Sequence, residues 1–323
     1  MADPQRIKGV LAPVLTPIKP DYSPDVERLI QHCKWLLAQH CGLAVFGTNS
    51  EANSFSVGER VAVLEALVGG GVDPARMLPG AGCCALPDTI QLTEQAVKLG
   101  CVGVLMLPPF YYKDVSDEGL YRYFSEVIQR VGDARTRIYL YHIPPVSQVP
   151  ITLPLIERLI TAYPTTVVGM KDSSGDWNNT KAALDAFGPS GFDVFAGSEA
   201  WLLATMRHGG AGCISATANI NPAAILKLCR EWRNPDAEAQ QQTLNVLRNT
   251  MAKYPMVAAL KQVVAHCCGD AAWARVRPPL VELPVEWAET LVADLAGLGF
   301  AMPGLRPVMP PLPTTAPHSV GRA

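Results

Sequence analysis

The chain has 323 residues, 49% of them hydrophobic, with 27 basic and 29 acidic side chains interspersed to a net charge of −2. That balance, with no basic stripe interleaved with aromatics, excludes a nucleic-acid partner, and no window approaches the roughly 18 consecutive apolar residues of a membrane span. The opening MADPQRIKGV has no apolar core of signal-peptide type and carries an early acid, so a soluble, cytoplasmic protein without a membrane partner is expected.

In chain order, short apolar runs alternate with amphipathic stretches over about the first 235 residues. The strand candidates are Val10–Thr16, Leu43–Phe46, Met77–Ala81, Val102–Leu107, Arg137–Tyr141, Thr166–Met170, Phe192–Ala196 and Gly212–Ser215. Helical patterns fill the gaps at Pro24–Gln39, Val57–Val68, Pro87–Leu99, Asp117–Val131, Leu153–Ala162 and Trp177–Phe187. Ser56, Ser116 and Ser198 stand at N-cap positions, and Gly100 and Gly132 at C-cap positions. Alternation of this kind points to parallel pairing, and eight strands close a (β/α)8 TIM barrel. An open doubly wound sheet would carry a Gly-rich turn after its first strand, where this chain has Thr16-Pro17-Ile18-Lys19-Pro20. From Asn221 the alternation stops. Pro222–Trp232, Ala237–Met251, Pro255–Cys268 and Pro284–Leu298 all read as helices. The expected organisation is an α/β barrel over 1–235, a C-terminal helical extension packed with it over 236–300, and a Pro-rich tail over 301–323.

The nine cysteines fall singly or as the adjacent pairs Cys83-Cys84 and Cys267-Cys268, none with Cys-x-x-Cys spacing. They read as reduced, mostly buried thiols, and no metal is expected.

A barrel keeps its chemistry at the carboxyl ends of its strands. The run TTVVGMKDSSGD places a single lysine, Lys171, at the end of strand six. An amine withdrawn from water there spends more time neutral and can attack a carbonyl; the competing account has it pair with Asp172 or Asp176. Tyr141, in IYLYHIPP, ends the neighbouring strand, and a phenol beside that amine can relay protons. His142, next along, faces the other way. GTNSE, Gly47 to Glu51, offers backbone N–H groups together with Thr48 and Asn49 to an anion. PPFYYKD after strand four exposes Tyr111-Tyr112. These groups describe one pocket with an amine, phenols and a carboxylate cradle.

With these motifs in this order, from about Lys8 to about Leu298, the sequence resembles the class I, Schiff-base-forming aldolases and lyases of the dihydrodipicolinate synthase/N-acetylneuraminate lyase superfamily. The matching stretches are GTNSE, FYY at Phe110–Tyr112, Tyr141-x-x-Pro144, GMKDSSGD, FAGSE and GGAGCISATAN. The resemblance implies that Lys171 forms the Schiff base with pyruvate or another 2-oxo acid and that Tyr141 shuttles protons. It implies that Thr48 links Tyr141 to Tyr112 of a neighbouring subunit, and that Thr48 and Asn49 hold the carboxylate. Gly197 and Ile214 match pocket-lining positions. A homo-oligomer, dimer or tetramer, is implied, with no cofactor. The distal pocket that selects the second substrate is expected to involve Ser173, Ser174, Glu199, Ser215 and Ala216.

Two positions depart from the family pattern. Ser50 stands where the carboxylate loop usually has Gly, so the turn must tolerate a side chain. Val146 stands where true dihydrodipicolinate synthases place an arginine for the second substrate's carboxylate, and a valine cannot pair with one. The expected activity is therefore an aldolase that releases pyruvate and an aldehyde from a hydroxylated 2-oxo acid, such as 4-hydroxy-2-oxoglutarate or a 2-keto-3-deoxy sugar acid. The alternatives are a 2-keto-3-deoxy sugar acid dehydratase, a 4-hydroxy-tetrahydrodipicolinate synthase, or a non-catalytic paralogue that binds 2-oxo acids.

Overall fold

The computed structural model describes residues 6–307, so the sequence from residue 308 on, most of the expected tail, lies outside the described residues. The first half contains β1 (Gly9–Ala12), α1 (Val26–Ala38), β2 (Gly42–Leu43), α2 (Val57–Gly69), α3 (Leu86–Lys98), β3 (Val104–Met106) and α4 (Asp117–Val131). Then come β4 (Ile138–His142), α5 (Pro144–Ser147), α6 (Leu153–Ala162), β5 (Val167–Asp172), α7 (Trp177–Phe187), β6 (Asp193–Ala196), α8 (Leu202–Arg207) and β7 (Gly212–Ile214). Four α-helices follow β7 among the described residues: α9 (Pro222–Glu231), α10 (Ala237–Met251), α11 (Met256–Cys268) and α12 (Val285–Gly297). The caps read from the sequence act as such. Ser56 Oγ accepts from the Glu59 N–H while the Ser56 N–H donates to the Glu59 carboxylate, Ser116 accepts from Gly119, and Gly132 ends α4 in the left-handed region. No helix among the described residues is long and apolar enough to cross a membrane.

The strands form one parallel sheet in the order β2-β1-β7-β6-β5-β4-β3. Seven strands appear among the described residues where eight were expected. Met77–Ala81 is joined to its neighbours only by isolated parallel bridges, Leu43 to Met77 and Gly80 to Leu105. Pro79 has no N–H to give to a ladder, and glycine weakens the rest. The stretch nevertheless lies between the two outermost strands. Leu78 N donates to Leu43 O at 2.7 Å, and Ala81 N donates to Leu105 O at 2.8 Å. β2 is also shorter than read, because Phe46 turns left-handed at φ 59°.

Apolar residues divide between the two faces. One cluster joins strand residues such as Ile138 and Leu140 to helix residues such as Leu36 and Phe124. The other is built almost wholly from the opposite face of the strands and includes Leu11, Leu105, Tyr139, Tyr141, Phe195 and Ile214. Each strand therefore buries both faces, as a parallel sheet under helices requires.

Candidate active site

Lys171 reaches the strand-lined interior because β5 breaks its own alternation. Val167 belongs to the outer cluster, so strict period-2 alternation would turn Lys171 outward with it. The register against β4 shifts instead: Ile138 pairs with Val167, but Tyr139 pairs with Gly169. The extra residue, Val168, flips everything after it. Gly169 then lies under Tyr139, Lys171 pairs with Tyr141 inside, and Asp172 pairs with His142 outside. A Cβ at Gly169 would stand 2.6 Å from Tyr139 Cδ1, so only glycine fits below that ring.

The lysine is 3% exposed. No carboxylate among the described residues forms an ion pair with it. Asp172 is occupied on the other face by Ser174 and Thr180, and Asp176 caps α7 through the Asn178 N–H. Lys171 Nζ sits 4.3 Å from the centre of the Tyr141 ring. The Tyr141 hydroxyl in turn lies 3.1 Å from Thr48 Oγ1. Amine, phenol and hydroxyl thus form a contiguous row. Thr48 and Tyr141 also line a small recess with Phe46, Gly47 and Leu107. His142 is buried and structural: its Nδ1 accepts from the Ile151 N–H at 3.0 Å, and burial holds its pKa below the usual value against the opposing pull of Asp172.

The Gly47–Glu51 loop shows why it accepts Ser50. The positive φ that a glycine would supply falls instead on Glu51, at 59°. Ser50 is wholly buried; its hydroxyl accepts from the Gly47 N–H at 3.1 Å, and its carbonyl accepts from Thr16 Oγ1 at 2.8 Å. Glu51 is fixed from the far end of the chain. One carboxylate oxygen accepts from Lys261 of α11, and the other from the Arg277 N–H at 2.7 Å. Both side chains of this ion pair are completely buried.

The remaining expected residues divide. Asn49 flanks Thr48 in the same turn and is partly exposed. Gly197 packs so closely against Asp172 and Ser173 that a Cβ would come within 2.1 Å of Ser173 Oγ. Ile214 is fully buried in the same inner cluster as Tyr141. Glu199 is buried with its oxygens accepting from Ser215 and Thr217, and Arg248 Nη1 lies 3.7 Å away. Ser174 donates to Asp172 at 3.0 Å. Tyr112 is not brought to Tyr141 within the chain: it is 74% exposed, edge-on to Tyr111 at 5.3 Å. Val146 is 61% exposed, and the nearby Lys113 ammonium is tied to the Phe110 and Ser147 carbonyls. No group of three or more His, Cys, Asp or Glu among the described residues is arranged to hold a metal ion.

Sequence reasoning missed Lys261 and Arg277. The signal was faint but present: Lys261 lies inside MVAALKQVVA, an almost wholly apolar helical run where a surface lysine has no place.

A model of the Dihydrodipicolinate synthetase family matches residues 6–297. An uncharacterized DapA-like lyase of Chloroflexus aurantiacus is 33% identical over 297 residues, 91% of this chain and 96% of that protein. Among solved structures, dihydrodipicolinate synthase from Agrobacterium tumefaciens is similar at TM-score 0.82 and 32% identity, covering 90% of this chain and 99% of the other. YagE, a dihydrodipicolinic acid synthase family protein of E. coli K12 solved with pyruvate, is similar at TM-score 0.83 and 25% identity, covering 91% and 99%.

Proposed function

The chain belongs to the dihydrodipicolinate synthetase family and is a class I carbon–carbon lyase, and on that premise we propose that Lys171 is the Schiff-base lysine of a pyruvate-releasing aldolase acting on a hydroxylated 2-oxo acid. The observation that carries this is the buried Lys171, without a carboxylate partner among the described residues, 4.3 Å above the Tyr141 ring, whose hydroxyl meets Thr48 at 3.1 Å. A lysine kept for ion pairing would have Asp172 beside it, and that carboxylate is turned away and already bonded.

In the proposed reaction the Lys171 amine adds to the C2 carbonyl and water leaves, giving a protonated imine. Tyr141, in contact with Thr48, passes protons to and from the departing oxygen. Tyr141 takes the proton of the C4 hydroxyl as the C3–C4 bond breaks, so that the bond's electron pair passes into the imine and an aldehyde leaves. The resulting enamine takes a proton at C3, and hydrolysis returns pyruvate and the free lysine. Thr48, Asn49 and the N–H groups of their turn cradle the 2-oxo acid carboxylate. The pyruvate bound by YagE supports this choice of common substrate.

Candidate second substrates are those of 4-hydroxy-2-oxoglutarate or 2-keto-3-deoxy sugar acid cleavage. The exposed Val146, with Lys113 engaged by two carbonyls, leaves no cation there for a second-substrate carboxylate, which favours the neutral aldehyde of a 2-keto-3-deoxy sugar acid over the glyoxylate of 4-hydroxy-2-oxoglutarate. The 32% identity to the Agrobacterium synthase is the observation that keeps 4-hydroxy-tetrahydrodipicolinate synthesis as the second reading. We also infer that Met77–Ala81 serves as the eighth stave closing a (β/α)8 barrel, since its backbone bonds reach both β2 and β3. The exposed Tyr111–Tyr112 pair supports a homo-oligomer in the cytoplasm in which Tyr112 completes a neighbour's site.

Sodium borohydride with pyruvate tests the central claim. A stable mass gain of one reduced pyruvate on the Lys171 peptide is expected, with no gain and no turnover in a folded Lys171→Ala protein. An unmodified Lys171 after treatment with pyruvate and with longer 2-oxo acids would overturn it. A panel of 2-oxo acids and aldehydes, including aspartate semialdehyde, then separates aldolase from synthase.

A further inference from the structure

A large cavity lies away from the lysine end. It has a volume of about 870 Å³ and is bordered by residues that precede strands: Arg6 and Lys8 at β1, Arg76 before Met77, Val102 before β3, Arg135 before β4 and Ala211 before β7. It therefore opens at the amino ends of the strands, opposite the end where this architecture keeps its chemistry. Its volume falls in the range of small-molecule sites, roughly 300–1,000 Å³.

The lining is strongly one-signed. Six of its eighteen residues are Arg, Lys or His (Arg6, Lys8, His40, Arg76, Arg135 and Arg230), and none is Asp or Glu. In the whole chain, those three types supply only 33 of 323 residues. Nearby carboxylates neutralise part of the charge. Arg135 is held by Asp133 at 2.6 Å, and the buried Asp193 takes Arg6 at 2.7 Å and Lys8 at 3.4 Å. Two carboxylates against five permanently cationic side chains leave an excess of three positive charges. Arg76 spends one N–H on the His40 carbonyl at 3.0 Å, and Arg230 has no ion-pair partner among the described residues. Between the cations the wall is apolar, with Val97, Val102, Met206 and Leu226.

We propose that this cleft binds an organic phosphate, with its charged groups on the arginines and its body against the apolar wall. Four of the five cations are guanidinium groups, whose planar fork matches a phosphate edge better than an ammonium does. The site is remote from Lys171, so a ligand there does not compete with the 2-oxo acid.

Calorimetric titration of the full chain with ATP, and separately with inorganic pyrophosphate, at matched ionic strength tests this. Saturable binding of one ATP per chain is expected, tighter than that of pyrophosphate and at least about tenfold weaker in Arg76→Glu/Arg230→Glu. Lys8→Gln, at a side chain 58% exposed, is a milder second variant and should weaken ATP in the same direction. Borohydride trapping of pyruvate should proceed undiminished in saturating ATP. Absence of saturable binding, equal affinity for pyrophosphate, affinity unchanged in folded variants, or loss of pyruvate trapping in ATP would each overturn the proposal.

Discussion

Replacing Lys261 by methionine removes one member of a completely buried ion pair and leaves the other in place. Glu51 would keep its bond from the Arg277 N–H at 2.7 Å but lose its ion-pair partner. The Arg275 carbonyl would also lose a donor at 2.9 Å. Desolvation already pulls the Lys261 pKa down, with Glu51 as the main opposing influence, so the pair holds its charges mutually. Breaking a buried pair from one side typically costs about 3–5 kcal/mol, whereas removing both charges together is often close to neutral. Lys261→Met should therefore lower the unfolding free energy by about 3–5 kcal/mol, and Glu51→Gln/Lys261→Met should recover most of that loss. Urea titrations followed by circular dichroism measure both, provided the slope m is unchanged among the variants. The local effect is as informative. Glu51 caps the turn that carries Thr48 and Asn49, so the single variant should raise KM for the 2-oxo acid even where the protein is folded. A loss below about 1 kcal/mol, or a double variant no more stable than the single, would refute the buried-pair account.

Tyr141→Phe should retain the borohydride-trapped lysine but form it about 100-fold or more slowly, with Thr48→Val intermediate, as read from the trapping rate. His32 is buried against Trp35 and Trp273, and burial lowers its pKa to about 4. The fold thus favours the neutral ring: full stability holds above about pH 6.5 and is lost progressively as the pH falls towards 4, by at most about 3 kcal/mol from this group. Urea midpoints across that window should fall more steeply in the parent than in His32→Gln. Gly169→Ala would put a Cβ 2.5 Å from the Asp193 carbonyl and 2.6 Å from the Tyr139 ring, so pyruvate trapping should slow and the melting temperature fall; parental values for both would contradict the packing described.

Much of this was legible in the sequence because it is local. Helix ends announced themselves through Ser56, Ser116 and Gly132, whose side chains or backbone act within a few residues. That Lys171, Tyr141 and Thr48 come together was legible because a lone lysine, a strand-end phenol and a small polar loop follow apolar strands. What stayed hidden depends on partners far along the chain. The shift at Val168 exists only in the pairing with β4. Met77–Ala81 reads as a strand by composition, yet Pro79 and Gly80 leave it only scattered bridges. The Lys261–Glu51 pair spans 210 positions, and no window reveals that a helical lysine faces inward. The Arg, Lys and His residues of the amino-end cleft look like ordinary scattered charges until the strands bring their starts together.

The Gly47–Glu51 loop is held from two directions, and this bears on how the C-terminal segment supports Thr48 and Asn49. On the sheet side, Thr16 donates to the Ser50 carbonyl, and the Ser50 hydroxyl closes the turn onto Gly47. From the helical side, Lys261 and the Arg277 N–H clamp Glu51, and the Arg277 guanidinium reaches on to the Ser54 carbonyl and to Glu59 at the start of α2. That last contact is charge-assisted enough to hold the Glu59 carboxyl at about 2, well below the usual range. A turn pinned at both ends can keep Thr48 at 3.1 Å from Tyr141 without relying on a glycine at position 50. The preorganisation that the proposed proton relay needs is therefore distributed over the whole chain, with the segment after β7, through Lys261 of α11 and Arg277 of the connection before α12, supplying the half that the strands do not.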